Sequence, residues 1–301
     1  MNGLIKSIFF GNYFYGACAV ALSVEASLQQ HIPLNSAGYY LFVFAATVLY
    51  YTHAYIAETD TGSANKRTVW YATHKKRMGI SQIILTVVLV ITGLILLRSF
   101  IQHYRDMVVL QWLLAIIFPL IAALYYGSVT PNTTRNNLRN KGWLKPFVIG
   151  FVWAGVVTIY PGLWKSIADD APYTPGLVSM LLFIKNLMFV TVLCIMFDIK
   201  DYAADHNKAL KTFVVELGLR KTIFYILIPL SVLGLGTFIL FGFLRDFPVL
   251  RILVNTIPFI MLIIVAYSLH QRKSILYYLA IIDGLMLVKA VCGIIGMTLI
   301  N

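Results

Sequence analysis

Apolar residues run along this chain in long blocks separated by short polar ones. Nine blocks approach the roughly 20 mostly apolar residues that a membrane-crossing helix needs. They lie at about 8–28, 38–58, 80–99, 108–126, 147–163, 177–197, 222–242, 251–269 and 275–299. The pattern predicts an all-α, polytopic membrane bundle of about nine transmembrane helices. No linker, soluble module or low-complexity tract interrupts it, so residues 1–301 read as a single domain. The first block follows Lys6 as a signal peptide would. It holds Asn12 and several tyrosines and lacks a clear small-residue cleavage site, so it reads as a retained first helix.

Composition agrees. The chain is 59% hydrophobic and 12% charged, against about 25% charged for soluble domains. A net charge of +12 would suit a nucleic-acid partner, but the charges fall between the apolar blocks, which points to membrane lipids and not to nucleic acid. Cys18, Cys194 and Cys292 each sit in an apolar run with no metal-type spacing, and read as small embedded hydrophobes.

The charges also orient the chain. The connections at 59–79, 127–146, 198–221 and 270–274, with the N-terminal tail, carry 17 of the 24 lysines and arginines. The alternating connections and their helix ends carry Arg98, Arg105, Lys165, Arg245 and Arg251; Lys185 and Lys289 fall inside apolar blocks. The positive-inside rule then predicts a cytoplasmic N-terminus and a C-terminus on the opposite side. The long loops are the inner ones, so chemistry at one face is expected at the inner face.

One inner segment stands out, "DIKDYAADHNKALKT" from Asp198 to Thr212. At about 100° per residue, Asp198, Asp201 and Asp205 fall on one helical face. Like charges so placed repel unless a hard divalent cation lies among them. Magnesium takes such oxygen ligands, usually one or two carboxylates with waters and substrate phosphates. Lys208 and Lys211 follow one or two turns on, within reach of phosphate oxygens. A solvated juxtamembrane helix, its acids neutralised by Lys200, Lys208 and Lys211, explains the same charges.

The longer run "FDIKDYAADHNKALKTFVVELGLRKT" resembles the second aspartate-rich motif of the UbiA-type membrane prenyltransferase superfamily. Asp198, Asp201, Asp205, Lys208, Lys211, Thr212 and Gly218 fall in register with it. The stretch "RNKGWLKPFVIGFVWAGVVTIYP" at 139–161 is similar to the family's segment around its fifth helix. The resemblance implies nine helices around a central cavity opening near the inner face. It implies a Mg²⁺-dependent enzyme in which Asp198, Asp201 and Asp205 hold the metal on an isoprenoid diphosphate. The C–O bond would ionise, and a lipophilic acceptor would capture the allylic cation.

The family's first aspartate-rich motif is degenerate here. In "YTHAYIAETDTGSANKRTVW", aligned on Arg67, the family's Asn and first two Asp positions hold Thr52, His53 and Ile56. Only the last acid remains, as Asp60. His53 and Asp60, seven apart, share a helical face that suits a transition metal better than magnesium. Lys66 and Arg67 remain as candidate phosphate-binding cations. Arg135, with Arg139, Lys141 and Lys145, would cradle the diphosphate from a third side, or anchor the loop to acidic lipids. Asn12, Lys185 and Asn186 are polar groups inside apolar blocks, and Lys185 needs a partner or a route to water. The expected function is prenyl transfer from an isoprenoid diphosphate to a lipid-soluble acceptor. The degenerate motif leaves two alternatives: a terpene cyclase of the same type, or a non-catalytic isoprenoid-binding membrane protein.

Overall fold

The computed structural model describes residues 3–57, 66–103, 105–126, 142–207, 210–271 and 273–300; the side chains of Ala54, Ala57, Lys66, Ser99, Tyr126, Ala203, Ala204 and Asp205 lie outside the description. The described residues are helical, with no strand among them. In chain order the helices are α1 (Gly3–Phe10), α2 (Tyr13–Gln29), α3 (Ala37–Ala57), α4 (Lys66–Thr73), α5 (Lys75–His103) and α6 (Val109–Tyr126). They continue as α7 (Lys145–Ala168), α8 (Leu177–Asn207), α9 (Phe213–Leu217), α10 (Leu219–Leu244), α11 (Val249–Ser268) and α12 (Ile275–Thr298).

Each of the nine apolar blocks is a helix or a bent pair of helices. Among the described residues six helices are long and apolar enough to cross a membrane, or seven if α1 and α2 form one span. The remaining two blocks are α3, whose tyrosines and His53 dilute its apolar run, and α6, a shorter apolar helix. α1 and α2 meet at 63°. Asn12 takes the turn with a left-handed backbone, φ 64°, a conformation that asparagine tolerates better than most residues.

α8 is the central helix. It packs against α7 on one side and α10 on the other, and most of its apolar stretch is buried. α2 lies between α3 and α12, and α11 closes against α12. α5 is peripheral and presents a ladder of exposed Ile, Leu and Val to the outside, as a helix facing lipid acyl chains would. Without water to drive apolar faces together, such helices associate through small residues that let backbones close in. At Gly150 on α7 a Cβ would strike the Thr191 hydroxyl and sit 3.0 Å from the Leu187 carbonyl on α8. At Gly155 it would enter the Phe118 ring of α6.

Three spans carry a π-helical turn: Gly155–Ile159 in α7, Thr222–Leu227 in α10 and Tyr278–Ile282 in α12. Such turns shift the following side chains around the helix and often mark functional sites. The turn in α12 delivers Asp283.

A second buried polar feature lies within the spans. Glu25 of α2 sits between Lys185 of α8 and Lys289 of α12, with contacts of 3.0 and 2.6 Å. Lys185 also donates to the Gln29 side chain at 2.7 Å, and Gln29 donates to Asn255 of α11 at 3.1 Å. All three charged groups are at most 3% exposed. Lys185 therefore has its partner within the bundle rather than in a cavity. Asn186 likewise donates to the Thr158 hydroxyl of α7 at 2.7 Å.

Candidate functional site

A cavity of about 230 Å³ opens between α2, α3, α4, α7, α8 and α12. It lies toward the end of the bundle where α7 begins, α8 ends and α12 begins, which is the end joined by the long basic loops. Three cations, Arg67, Lys145 and Lys200, and two carboxylates, Asp201 and Asp283, line it. Aromatic rings form much of the remainder: Tyr15, Tyr51, Tyr55, Trp153 and Phe197.

The acids of α8 separate in their surroundings. Asp198 is fully buried and its Oδ1 accepts from Lys145 Nζ at 2.7 Å. Lys145 is the first residue of α7 and its head reaches the cavity. The buried carboxylate thus fixes the lysine ammonium at the cavity wall. One turn later Asp201 faces the cavity itself, beside Lys200 at 3.2 Å and partly exposed. Asp198 and Asp201 share the C-terminal part of α8 but have different neighbours. Asp205 is part of the same helix, and its side chain lies outside the described residues.

Arg67 is 5% exposed. Its Nε and Nη2 donate to the Phe10 carbonyl at 3.1 and 2.9 Å, and Nη1 donates to the Tyr55 hydroxyl at 3.2 Å. Nη2 also meets the Phe9 carbonyl at 3.4 Å and the side chain of Asn12. The guanidinium lies 4.2 Å over the Tyr55 ring. The last carbonyls of α1 have no helical partners, and a planar fork satisfies several at once. Arg67 is thus both a cavity-wall cation and the clamp on the bend between α1 and α2. Asn12 completes that clamp, donating to Thr52 at 3.0 Å and to Tyr71 at 3.3 Å. Thr52 is fully buried in this knot. His53 beside it is exposed.

Arg67→Lys is therefore expected to lower stability by about 2–3 kcal/mol, because a single ammonium cannot replace the fork that bonds Phe10, Phe9, Tyr55 and Asn12 at once. Thermal unfolding in detergent, with proteolysis around residues 10–13, measures it. An unchanged midpoint would contradict the clamp.

Lys211 is exposed, at the turn before the α9 cap, where Val215 N–H meets the Thr212 hydroxyl at 3.4 Å. Asp60, Arg135 and Lys208 lie outside the described residues, as does the Lys66 side chain. Of the charged cavity residues, sequence reasoning did not single out Asp283, and it named Lys200 only as a neutralising neighbour of the acids. Asp283 and Lys200 sit in or beside apolar blocks, and Asp283 is an acid inside a span, the signal that should have found it. Glu25 escaped for the same reason.

The donor set can be judged against a hard cation. Among the described residues no three His, Cys, Asp or Glu side chains converge as a ready metal cluster. Two carboxylates, Asp198 and Asp201, stand one turn apart. Only Asp201 of the two lines the cavity, Asp198 being buried on Lys145, so a magnesium ion there would draw most of its oxygens from water and phosphate, as magnesium commonly does. The set fits a metal that arrives with its diphosphate better than one resident in the free protein.

The chain is similar in fold to a solved digeranylgeranylglyceryl phosphate synthase studied in membranes. The likeness covers 99% of each chain, at a TM-score of 0.58 and 15% sequence identity. No family model matches the sequence, and no curated protein matches it. The fold is therefore shared from end to end with that synthase, at low sequence identity.

Proposed function

We propose that this protein is a membrane-embedded prenyltransferase of the UbiA type, moving a prenyl group from an isoprenoid diphosphate to a lipid-soluble acceptor. The observation that carries the reading is the cavity, lined by three cations, two carboxylates and several aromatic rings, in a bundle with the fold of a digeranylgeranylglyceryl phosphate synthase.

The roles follow from the chemistry of the side chains. Lys145 and Lys200 would bind the diphosphate oxygens, with Lys145 aimed by Asp198. Arg67 would add positive potential from the wall while its fork stays on α1. Asp201 would present oxygens to Mg²⁺, with Asp205 a turn further on, while Asp198, expected from the sequence to be a metal ligand, is buried on Lys145 and would act through that lysine. A bound magnesium ion would supply charge neutralisation on the leaving diphosphate. Lys208, Lys211, Lys66, Arg135 and Asp60 remain proposed contributors from the inner loops. Tyr15, Tyr51, Tyr55, Trp153 and Phe197 would turn π faces toward the allylic cation and keep water from it. The cavity is smaller than the usual ligand pocket of about 300–1,000 Å³. It suits the diphosphate and the reacting end of the donor, with the remaining chain running between helices toward lipid.

A second reading is a non-catalytic isoprenoid-binding protein. It is favoured by the Lys145–Asp198 pair, which ties up one of the two described α8 carboxylates. Binding comes first in either case. Geranylgeranyl thiodiphosphate, whose C–S bond ionises slowly, is expected to bind in the presence of Mg²⁺ and to change the fluorescence of Trp153. Trp153→Phe should abolish that change, and inorganic pyrophosphate should compete. No saturable binding with or without Mg²⁺ would contradict both readings.

A further inference from the structure

The inner end of the cavity explains where a diphosphate would go. It does not use the carboxylate farther in. Asp283 stands eight residues into α12, about 12 Å along the helix at 1.5 Å per residue, and is 3% exposed. A carboxylate inside an apolar span is costly and marks a functional position.

Its placement is specific. The π turn Tyr278–Ile282 ends on it, with Asp283 N–H donating to the Tyr278 carbonyl at 3.1 Å. The Tyr15 hydroxyl donates to Asp283 Oδ2 at 2.6 Å. Tyr15 stacks on Tyr51 at 4.8 Å, and the Tyr51 hydroxyl accepts the Trp153 indole N–H at 2.6 Å. Three helices thus hold one carboxylate in a fixed pose on an aromatic wall, and preorganisation of this kind is what a reacting group needs.

We infer that Asp283, held by Tyr15, is the acceptor-side catalytic base of this cavity, and that the acceptor is a hydroxyl-bearing lipid-soluble compound, an alcohol or a phenol. The inference rests on the prenyl-transfer reading. In the step, the donor C–O bond breaks and its electron pair leaves on the diphosphate at the cationic end. An acceptor oxygen lone pair forms the new C–O bond to the allylic carbon. The proton lost by that oxygen passes to an Asp283 carboxylate oxygen, and from there to water after product leaves. A carboxylate oxygen is a hydrogen-bond acceptor only, so it can hold the acceptor's O–H group and receive its proton. Asp201 is less suited to this task, because it is partly exposed and in direct contact with Lys200 at 3.2 Å.

The test separates donor from acceptor chemistry. Wild type, Asp283→Asn and Asp283→Glu are compared in lipid nanodiscs with Mg²⁺ and labelled geranylgeranyl diphosphate. The acceptors are hydroquinone, a long-chain alcohol and a glyceryl phosphate lipid, and geranylgeranyl thiodiphosphate affinity is measured in parallel. Asp283→Asn is expected to bind the analogue within about threefold of wild type, with an unchanged donor KM. Transfer to the hydroxyl acceptor should fall about 10²–10⁴-fold in kcat, the usual range for loss of a general base. Asp283→Glu should recover part of it. Transfer by Asp283→Asn within threefold of wild type overturns the inference and leaves the prenyl-transfer reading standing. Loss of analogue binding in Asp283→Asn also overturns it, making Asp283 a counter-ion to the wall cations. If wild type binds the analogue but prenylates none of the three acceptors, the hydroxyl assignment fails. If wild type neither binds nor turns over donor, the underlying reading fails and the inference with it.

Discussion

Glu25→Leu is expected to destabilise the bundle by about 3–5 kcal/mol. The carboxylate stands between Lys185 at 3.0 Å and Lys289 at 2.6 Å, and none of the three is more than 3% exposed. Removing the anion leaves two buried ammonium groups with no countercharge, and breaking a buried pair in this way is far costlier than exchanging all its members for apolar groups. The Gln29 amide relieves only Lys185. A loss of that size corresponds to a midpoint lower by on the order of 10 °C. The control is the triple variant Glu25→Leu, Lys185→Met, Lys289→Met, which should recover most of the stability. Gly293 constrains the same site, because a Cβ there would run into the Glu25 side chain. Thermal unfolding in detergent of the three proteins decides the matter. If Glu25→Leu unfolds within 1 °C of wild type, the triad is not the buried lock described.

Asp201→Asn is expected to lower diphosphate release by about 10²–10³-fold while leaving the fold intact. The magnitude is that of removing one group that meets charge developing in a transition state. Stability should hardly change, because Asp201 is partly exposed and its contact with Lys200, at 3.2 Å, is a near-surface pair. Asp198→Asn makes a useful contrast. It frees Lys145 from its buried anchor, so it should lower both stability and activity. Steady-state kinetics with circular dichroism melting separates the two outcomes. Equal melting losses in both variants would contradict the division of labour between a cavity carboxylate and a buried anchor.

The helices were legible because hydrocarbon leaves little choice. A block of apolar residues long enough to span a membrane must be helical, and among the described residues the blocks are helical, six or seven of them long and apolar enough to span. The bend at Asn12 was not legible, because it depends on Arg67 and Tyr71, more than 50 residues away, reaching the carbonyl of Phe10. The acidic end of α8 was found from spacing, but the spacing could not tell Asp198 from Asp201. That difference is made by Lys145, which arrives from another helix. Lys185 was read as needing a partner, and it has one in Glu25. The partner was missed because a single acid in an apolar block carries no periodic signal. Asp283 was missed in the same way, and its aim depends further on a π turn that no residue pattern announces. Pairings between spans are tertiary facts, and the site is built from them.

The central claim is that this cavity ionises a prenyl diphosphate. It is tested by measuring release of labelled diphosphate from geranyl, farnesyl and geranylgeranyl diphosphates by wild type and Asp201→Asn in lipid, with Mg²⁺ and with EDTA. Mg²⁺-dependent release by wild type is expected, stimulated by a hydroxyl acceptor and lost in Asp201→Asn. Release independent of any acceptor, giving a cyclic hydrocarbon, would assign the cavity to cyclisation instead of transfer. No release from any chain length, by wild type and Asp201→Asn alike, would contradict the account.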